Sequence, residues 1–230
     1  MGTPDFALES LKCLCKANYE IIGVVTNVDK PKGRGMKMIA TPVKEYALEK
    51  GFEVYQPEKV KNNVEFINEI KTLNPDLIVV VAYGKILPKE ILDIPKYGCI
   101  NVHASLLPKL RGGAPIHRAI INGYTKTGIT IMYMAEGMDD GDIITQSEIE
   151  ITETDTASTL HDKLSVLGSK LLIETLPSIL NGTSENSHIP QLNDDEADEL
   201  LAIYPELGIF KKTPSVKKNF FFDWFTWIKK

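Results

Sequence analysis

Two polar side chains lie at the end of an apolar run near the middle of the chain. Residues 98–108 read GCINVHASLLP, and the first part of this segment predicts a strand over Cys99–His103. Side chains two apart on a strand share a face, so Asn101 and His103 point into one crevice. An amide beside an imidazole suits stabilisation of an oxyanion together with proton transfer. The alternative is a turn-forming asparagine beside a structurally bonded histidine.

An acidic segment follows a second predicted strand. Residues 136–142 read EGMDDGD, directly after the predicted strand Ile129–Met134. Because aspartate and glycine favour turns, the segment fits a solvated hairpin turn. The alternative is that one of its carboxylates serves chemistry. A calcium loop is disfavoured, since the ligand spacing of an EF-hand and its final bidentate glutamate are both absent.

A basic segment follows the first predicted strand. Residues 29–38 read DKPKGRGMKM, and their glycine and proline content predicts an exposed, mobile loop rather than a helix. Its cations suit phosphate backbones better than base edges. The segment lacks the Gly-x-x-x-x-Gly-Lys-Ser/Thr pattern of a nucleotide-binding P-loop. It therefore either contacts RNA or is a solvated surface loop.

A glycine pair leads into a helix near the candidate crevice. Residues 111–118 read RGGAPIHR, with Pro115 in the first turn, where its missing N–H is harmless. We expect the N-terminus of this helix to face the crevice of His103. The sequence contains neither a Gly-x-Ser-x-Gly elbow nor a His-Glu-x-x-His motif. Covalent and metal-dependent mechanisms therefore have no support in the sequence.

The elements that must position these residues alternate between strand and helix. The predicted strand Asp76–Ala82 is apolar after its first residue, as expected for a strand covered on both faces. The alternation predicts an α/β fold with a doubly wound, mostly parallel sheet. The longest helix is expected over Thr156–Leu180, capped by Thr154 or Asp155 and stopped at Asn181–Gly182. Other predicted strands are Ile21–Val25, Phe52–Tyr55 and Ile143–Ser147, and other predicted helices are Phe6–Ala17, Pro42–Lys50, Asn63–Leu73 and Ala114–Asn122.

Composition narrows the class of protein. The chain has 230 residues and a net charge of −5, which argues against a general nucleic-acid coat protein. Its longest strongly apolar run, Leu77–Tyr83, is far too short to cross a bilayer, and Met1–Asp5 lacks the features of a signal peptide. Three cysteines give neither a disulfide framework nor zinc-site spacing. We therefore expect a cytoplasmic protein with reduced thiols and no membrane partner.

Taken together, these segments resemble the methionyl-tRNA formyltransferase family, within the wider group of folate-dependent formyltransferases. The similarity covers roughly Gly2 to Gln191. INVHASLLP and the MD loop mark the whole group, whereas KPKGRG and RGGAPI narrow the resemblance to its tRNA branch. The matching motifs, in chain order, are GTPDFA at 2–7, KPKGRG at 30–35, VVAYGKILP at 80–88, INVHASLLP at 100–108, RGGAPI at 111–116 and MDDGD at 138–142.

The resemblance implies a Rossmann-like catalytic domain and a reaction. A formyl group would pass from 10-formyltetrahydrofolate to the α-amine of methionine on initiator tRNA, with no metal, in a monomer. The family's residue roles map onto three sets of positions. The catalytic residues would be Asn101, His103 and Asp139. The folate-contacting residues would be Ser105, Leu106, Leu107 and Pro108, and the tRNA-contacting residues Lys32, Arg34 and Lys37.

The two ends of the chain depart from the family's pattern. The short first strand that precedes the GTPDFA turn is expected to be missing, and so is the C-terminal β domain. The expected organisation is a catalytic domain over residues 1–191 and an atypical tail over residues 192–230. Two alternatives stay open: a catalytically impaired truncated remnant, and a formyltransferase for a small amine such as a sugar nucleotide or glycinamide ribotide. The KPKGRG and RGGAPI motifs argue against the small-amine alternative.

Overall fold

Strand–helix alternation dominates the computed structural model of the chain, which describes residues 1–32, 37–184 and 189–191. Within the chain, Met1–Gln191 forms one compact unit; the predicted tail, residues 192–230, lies outside the described residues. The helices are α1 (Asp5–Lys16), α2 (Pro42–Glu49), α3 (Val64–Leu73), α4 (Lys89–Leu92), α5 (Pro115–Ile121) and α6 (Ala157–Leu180). The strands are β1 (Val24–Val25), β2 (Lys30–Lys32), β3 (Lys37–Ile39), β4 (Val54–Tyr55), β5 (Ile78–Val80), β6 (Cys99–His103), β7 (Lys126–Tyr133) and β8 (Ile143–Glu150).

The main sheet is mixed and has the order β5-β6-β7-β8. Strands β5 and β6 pair in parallel, whereas β7 pairs antiparallel with both β6 and β8. A separate parallel pair joins β1 to β4. The predicted doubly wound α/β class is confirmed, and β6 coincides with the predicted strand. Strands β7 and β8 pair antiparallel because the acidic loop, residues 136–142, joins them without a crossover helix.

Met1 and Gly2 occupy the position between β1 and β5. The Gly2 N–H donates to Val25 O at 2.9 Å, and the Val81 N–H donates to Met1 O at 2.9 Å. The terminal ammonium of Met1 donates to Val79 O at 2.6 Å. Gly2 also bridges Val81 in parallel. These two residues therefore continue the parallel pairing from β4 through β1 to β5 and β6, at the place where the resemblance predicts the first strand.

A cavity of about 150 Å³ lies beside Met1, flanked by residues 20–25 and 77–81. Its walls are mostly apolar side chains of α1, α3 and the two strand segments, among them Leu11, Leu14, Ile70 and Leu73. The cavity lies in the centre of the sheet, next to the paired residues Met1 and Gly2. The apolar atoms that line it lack packing partners on that side.

Helix α6 covers the sheet and begins at Ala157, one residue later than predicted. Thr156 is the N-cap, and it forms a capping box with Thr159. The prediction of Thr154 or Asp155 as the cap is wrong. The Asp155 carboxylate instead accepts from Lys163 Nζ and Thr159 Oγ1, and these donors hold its pKa well below the usual range. The predicted stop is confirmed, since Asn181 is the C-cap.

The basic segment is more regular than predicted. Strands β2 and β3 pair antiparallel, with Lys32 opposite Lys37, so the prediction of an irregular loop over the whole segment is wrong. Its base is fixed, because Asp29 accepts from Lys44 Nζ at 2.6 Å and from Gln56 Nε2 at 2.8 Å. Residues 33–36, which include Arg34, lie outside the described residues. In the part of the chain that the structure describes, no helix is long and apolar enough to span a membrane.

Candidate active site

Strand β6 places an amide and an imidazole next to a carboxylate from a different loop. Asn101 Nδ2 donates to Asp139 Oδ1 at 3.2 Å. The other oxygen, Asp139 Oδ2, lies 3.5 Å from His103 Nδ1 and accepts from the Gly112 N–H at 2.8 Å. The His103 side chain is 7% exposed and that of Asp139 is 15% exposed. The structure therefore brings Asn101, His103 and Asp139 together.

His103 faces an oxygen acceptor at each ring nitrogen. Its Nε2 lies 3.1 Å from Leu110 O, and its Nδ1 faces Asp139 Oδ2. A carbonyl oxygen only accepts, so Nε2 carries the proton in this contact. A neutral ring would then point the Nδ1 lone pair at a carboxylate, whereas an imidazolium satisfies both acceptors. The surroundings of His103 therefore place an oxygen acceptor at each ring nitrogen.

Asp139 reaches the site by a route that differs from the sequence-based expectation. The predicted mostly parallel sheet would place the end of β7 at the same edge as the end of β6. Because β7 runs antiparallel to β6, with Tyr133 opposite Ile100, it ends near the start of β6 instead. The acidic loop then folds back, and the Tyr133 N–H donates to Asp142 O at 2.9 Å. A Cβ at Gly141 would overlap Tyr133 O, so only glycine permits this close return.

Left-handed backbone conformations mark the loops around the site. Leu110, Ala114 and Asp139 have φ values of 61°, 59° and 53°. Such conformations cost about 1–3 kcal/mol for residues other than glycine and persist only where surrounding contacts fix them. The conformation of Leu110 accompanies the contact of its carbonyl with His103, and that of Asp139 accompanies a carboxylate bonded to Asn101 and Gly112. The strain is thus located at the residues that shape the cluster.

The Ser-Leu-Leu-Pro segment after β6 is held by residues that the sequence reasoning missed. Thr130 Oγ1 donates to Ser105 O and accepts from the Leu107 N–H, at 2.7 and 3.1 Å. Gln146 Nε2 donates to Leu107 O and to Thr130 Oγ1, at 2.9 and 2.8 Å. Neither Thr130 nor Gln146 lies in a motif, and their positions on β7 and β8 become informative only when the strand register is known.

The members of this segment differ in what they offer a ligand. Ser105 is fully buried, and its hydroxyl donates to Lys109 O at 2.7 Å. Leu107 is also buried, packed with Met132 and Ile143. Leu106 and Pro108 are half-buried. Of the segment's side chains, those of Leu106 and Pro108 are therefore the ones that present apolar surface to a ligand.

The thiol of Cys99 on β6 is poorly suited to nucleophilic chemistry. Burial raises the pKa of the Cys99 thiol to about 12, so it stays protonated at neutral pH and is a poor nucleophile. Within residues 1–32, 37–184 and 189–191, no cluster of three His, Cys, Asp or Glu side chains is placed to hold a metal ion. The cluster of an amide, an imidazole and a carboxylate suits acyl transfer by proton movement and oxyanion stabilisation.

Comparison with known proteins agrees with this geometry. The sequence profile described as formyl transferase matches residues 1–176. The chain belongs to the formyl transferase family. A methionyl-tRNA formyltransferase of Caldanaerobacter subterraneus subsp. tengcongensis is 55% identical over 94% of the chain and 70% of its own length. One from Bacillus subtilis is 57% identical over 85% of the chain. The chain therefore lies in the methionyl-tRNA branch that the motifs predict.

The extent of these matches bears on the ends of the chain. The chain covers 60% of the Bacillus subtilis relative and 70% of the Caldanaerobacter relative. The latter match spans 94% of the chain, so it includes residues beyond Gln191. The boundary predicted at residue 191 stays a prediction.

Solved structures of formyltransferases share the fold. A glycinamide ribonucleotide transformylase from Symbiobacterium toebii superposes with a TM-score of 0.66 at 18% identity, over 79% of this chain and 85% of its own. A sugar 3N-formyl transferase, solved with dTDP and 5-N-formyl-THF, has a TM-score of 0.60 at 22% identity, over 85% of this chain and 66% of its own. At these identities the likeness concerns the fold alone.

Proposed function

We propose that this chain transfers the formyl group of 10-formyltetrahydrofolate to the α-amine of methionine on initiator tRNA, in translation initiation. The observation that carries the proposal is the cluster of Asn101, His103 and Asp139 at the end of β6. It occurs in a chain that is 55–57% identical to methionyl-tRNA formyltransferases. Asn101, His103 and Asp139 are the proposed catalytic residues.

The proposed reaction needs no covalent enzyme intermediate. The neutral α-amine attacks the formyl carbon, a C–N bond forms, and the carbonyl oxygen becomes an oxyanion. One N–H of the Asn101 amide donates to Asp139, and we assign the second to the oxyanion. The C–N bond to the folate then breaks. The proton lost by the attacking amine passes through Asp139 and His103, directly or through water, to the departing folate nitrogen.

The proposed donor site lies along residues 105–108. Half-buried Leu106 and Pro108, and the exposed Ile86, offer apolar surface for a flat pterin ring. Ser105 and Leu107 support this segment from within, through the hydroxyl of Ser105 and the packing of Leu107. The proposed donor is a substrate that binds and leaves in each cycle.

The proposed tRNA contact is the hairpin of β2 and β3, with Lys32, Arg34 and Lys37. Lys32 and Lys37 lie opposite each other in the ladder, and Arg34 lies between them in the sequence. Cations so grouped suit the phosphates of an acceptor stem. We further propose that the enzyme acts as a cytoplasmic monomer, that residues 1–191 are its catalytic domain and that residues 192–230 are not a separate domain.

The test is formylation of methionyl-tRNA by the purified chain, supplied with 10-formyltetrahydrofolate and followed by the mobility of aminoacyl-tRNA on acid gels. We expect transfer by the wild-type chain and a loss of about 10²–10³-fold for Asn101→Ala. Asn68→Ala, an exposed position on α3, is the matched control and should keep wild-type activity. A cooperatively folded chain without transfer would support the impaired remnant, and transfer to a small amine instead would support the other alternative.

A further inference from the structure

We infer that Gln191 is a positioning residue that fixes the Asp139 carboxylate for catalysis. The inference deepens the proposed function, and its test by enzyme kinetics rests on that function. Gln191 belongs to no motif of the sequence, and it lies 80 residues from Arg111 and 50 from Gly141. Its importance emerges only from the contacts of its side-chain amide.

The Gln191 amide joins two loops. Its Oε1 accepts from Arg111 Nε at 3.0 Å and from Arg111 Nη2 at 2.8 Å. Its Nε2 donates to Gly141 O at 2.7 Å. A guanidinium only donates and a carbonyl only accepts, so these partners fix the orientation of the amide. One planar group therefore holds the Arg111 loop and the acidic loop at a set separation.

Both loops determine where Asp139 lies. Arg111 precedes Gly112, whose N–H donates to Asp139 Oδ2 at 2.8 Å. Gly141 follows Asp139 by two residues on the acidic loop. If the Gln191 amide is removed, the two loops lose one of the contacts that hold the Gly112 N–H beside the Asp139 carboxylate. The expected consequence is a displaced carboxylate beside Asn101 and His103.

Gln191 is itself anchored to the main sheet. Two residues earlier, Ile189 exchanges backbone hydrogen bonds with Ile143, each 2.8 Å long. Ile143 is the first residue of β8. The anchor uses backbone atoms, whereas the tie uses the side chain of Gln191. The two contributions can therefore be separated by mutation.

The chemistry of the tie requires glutamine. Glutamate would keep an acceptor for Arg111 but would lose the donor to Gly141 O and place a carboxylate oxygen near it. Alanine would lose both contacts, and also the contact of Nε2 with Met132 Sδ at 3.6 Å. The need for a tie also has a local cause: Asp139 has a φ of 53°, a conformation that neighbouring contacts must maintain.

The experiment uses the full chain and compares Gln191→Ala with Gln191→Glu and with Ile189→Ala. The side chain of Ile189 is 64% exposed, so Ile189→Ala keeps the backbone anchor and serves as the control. We expect Gln191→Ala to lower kcat about 100-fold, the scale of a displacement near 1 Å, with KM values within twofold. Gln191→Glu should lose less, and Ile189→Ala should match the wild type.

A second readout does not depend on turnover. In ¹H–¹⁵N spectra, the backbone amide of Gly112 and the side-chain amide of Asn101 report their bonds to Asp139. We expect both resonances to shift in Gln191→Ala and to stay in place in Ile189→Ala. If the wild type transfers no formyl group, the proposed function fails, and these resonances alone decide whether Gln191 positions Asp139.

A double-mutant cycle separates positioning from general stability. If Gln191 acts through Asp139, then Gln191→Ala should cost little further activity in an Asp139→Asn background. Full additivity of the two losses would overturn the inference. A Gln191→Ala variant with wild-type kcat and unmoved Gly112 and Asn101 resonances would also overturn it. The same holds if kcat falls together with the melting temperature while those resonances stay in place.

Discussion

Asp139 Oδ2 lies 3.5 Å from His103 Nδ1, and the same oxygen accepts a hydrogen bond from the Gly112 N–H at 2.8 Å. The carboxylate is therefore held by a backbone donor while it faces the imidazole. With Leu110 O at the other ring nitrogen, the ring has an acceptor on each side. The side chains of His103 and Asp139 are thereby held in a set mutual orientation.

The first prediction concerns this carboxylate. Asp139→Asn keeps the size of the side chain but removes the charge that faces His103 Nδ1. We expect formyl transfer to fall by about 10²–10⁴-fold, the usual contribution of positioned acid–base groups, with cooperative unfolding preserved. Asp162→Asn, at a side chain that is 78% exposed, is the matched control. Activity within threefold of wild type in Asp139→Asn would remove Asp139 from the mechanism.

The sequence predicted the parts of this site better than their arrangement. Strand β6 was predicted at its observed bounds because apolar residues begin Cys99–His103 and Asn101 and His103 flank Val102 at its end. The loop path that brings Asp139 to the site was not predicted. The residue types in Lys126–Tyr133 do not reveal whether this strand pairs parallel or antiparallel with β6. Pairing partners come from tertiary packing, so Thr130, Gln146 and Gln191 gave no signal either.

The second prediction uses two glycines of the acidic loop. At Gly141, a Cβ would overlap the backbone oxygen of Tyr133, whereas at Gly137 it would meet the carboxylate end of the Asp140 side chain. A backbone oxygen in a ladder cannot move away, but an exposed side chain can. We expect Gly141→Ala to lower formyl transfer at least about 100-fold by displacing Asp139, and Gly137→Ala to have a small effect. Equal activities of the two variants would contradict this account of the loop.

The third prediction concerns the basic hairpin. Arg34→Ala should raise the KM for methionyl-tRNA, leave the KM for the formyl donor unchanged, and reduce the salt-dependence slope of tRNA binding by about 1. The reason is that a phosphate contact releases counterions, whereas the folate site at residues 105–108 is built by other elements. Lys71→Ala, on the exposed side of α3, is the control of equal charge change. Equal losses for tRNA and folate would refute the assignment.

The fourth prediction is a pH dependence of stability for the chain with a free amino group at Met1. Burial lowers the pKa of this group from 8.0 to about 6. Between pH 6 and pH 8 the unfolded chain therefore binds more protons than the folded chain, and protonation favours unfolding. The free energy of unfolding should fall as the pH decreases from 8 to 6 and level off below that. The measurement is the urea midpoint at each pH.

Acetylation of the Met1 amino group supplies the control for that measurement. The acetylated chain keeps every side chain, so histidine titration contributes equally to both forms. Subtracting one profile from the other should leave a difference confined to the window between pH 6 and pH 8. Identical profiles would mean that the terminal group does not titrate differently in the folded state.

The last prediction fills the cavity beside Met1. Val24 and Thr26 N–H groups donate towards β4, and Ile78 N–H donates to Gly98 O. Since backbone groups alternate along a strand, those of Gly23 and Leu77 face the cavity side. An extended segment placed before Met1 would therefore meet a hydrogen-bonding edge on either side and apolar side chains above and below. A strand covered on both faces should be apolar throughout.

We expect an extension of five valine and isoleucine residues before Met1 to raise the melting temperature substantially, compared with a glycine–serine extension of equal length. Each buried valine or isoleucine contributes about 1.5–3 kcal/mol, and each kcal/mol shifts the melting temperature by about 2–4 °C at this size. Two such side chains would thus give at least about 6 °C. The glycine–serine extension removes the charged terminus without filling the cavity, so the difference between the two reports packing alone. Equal melting temperatures would show that the gap between β1 and β5 does not accept a strand.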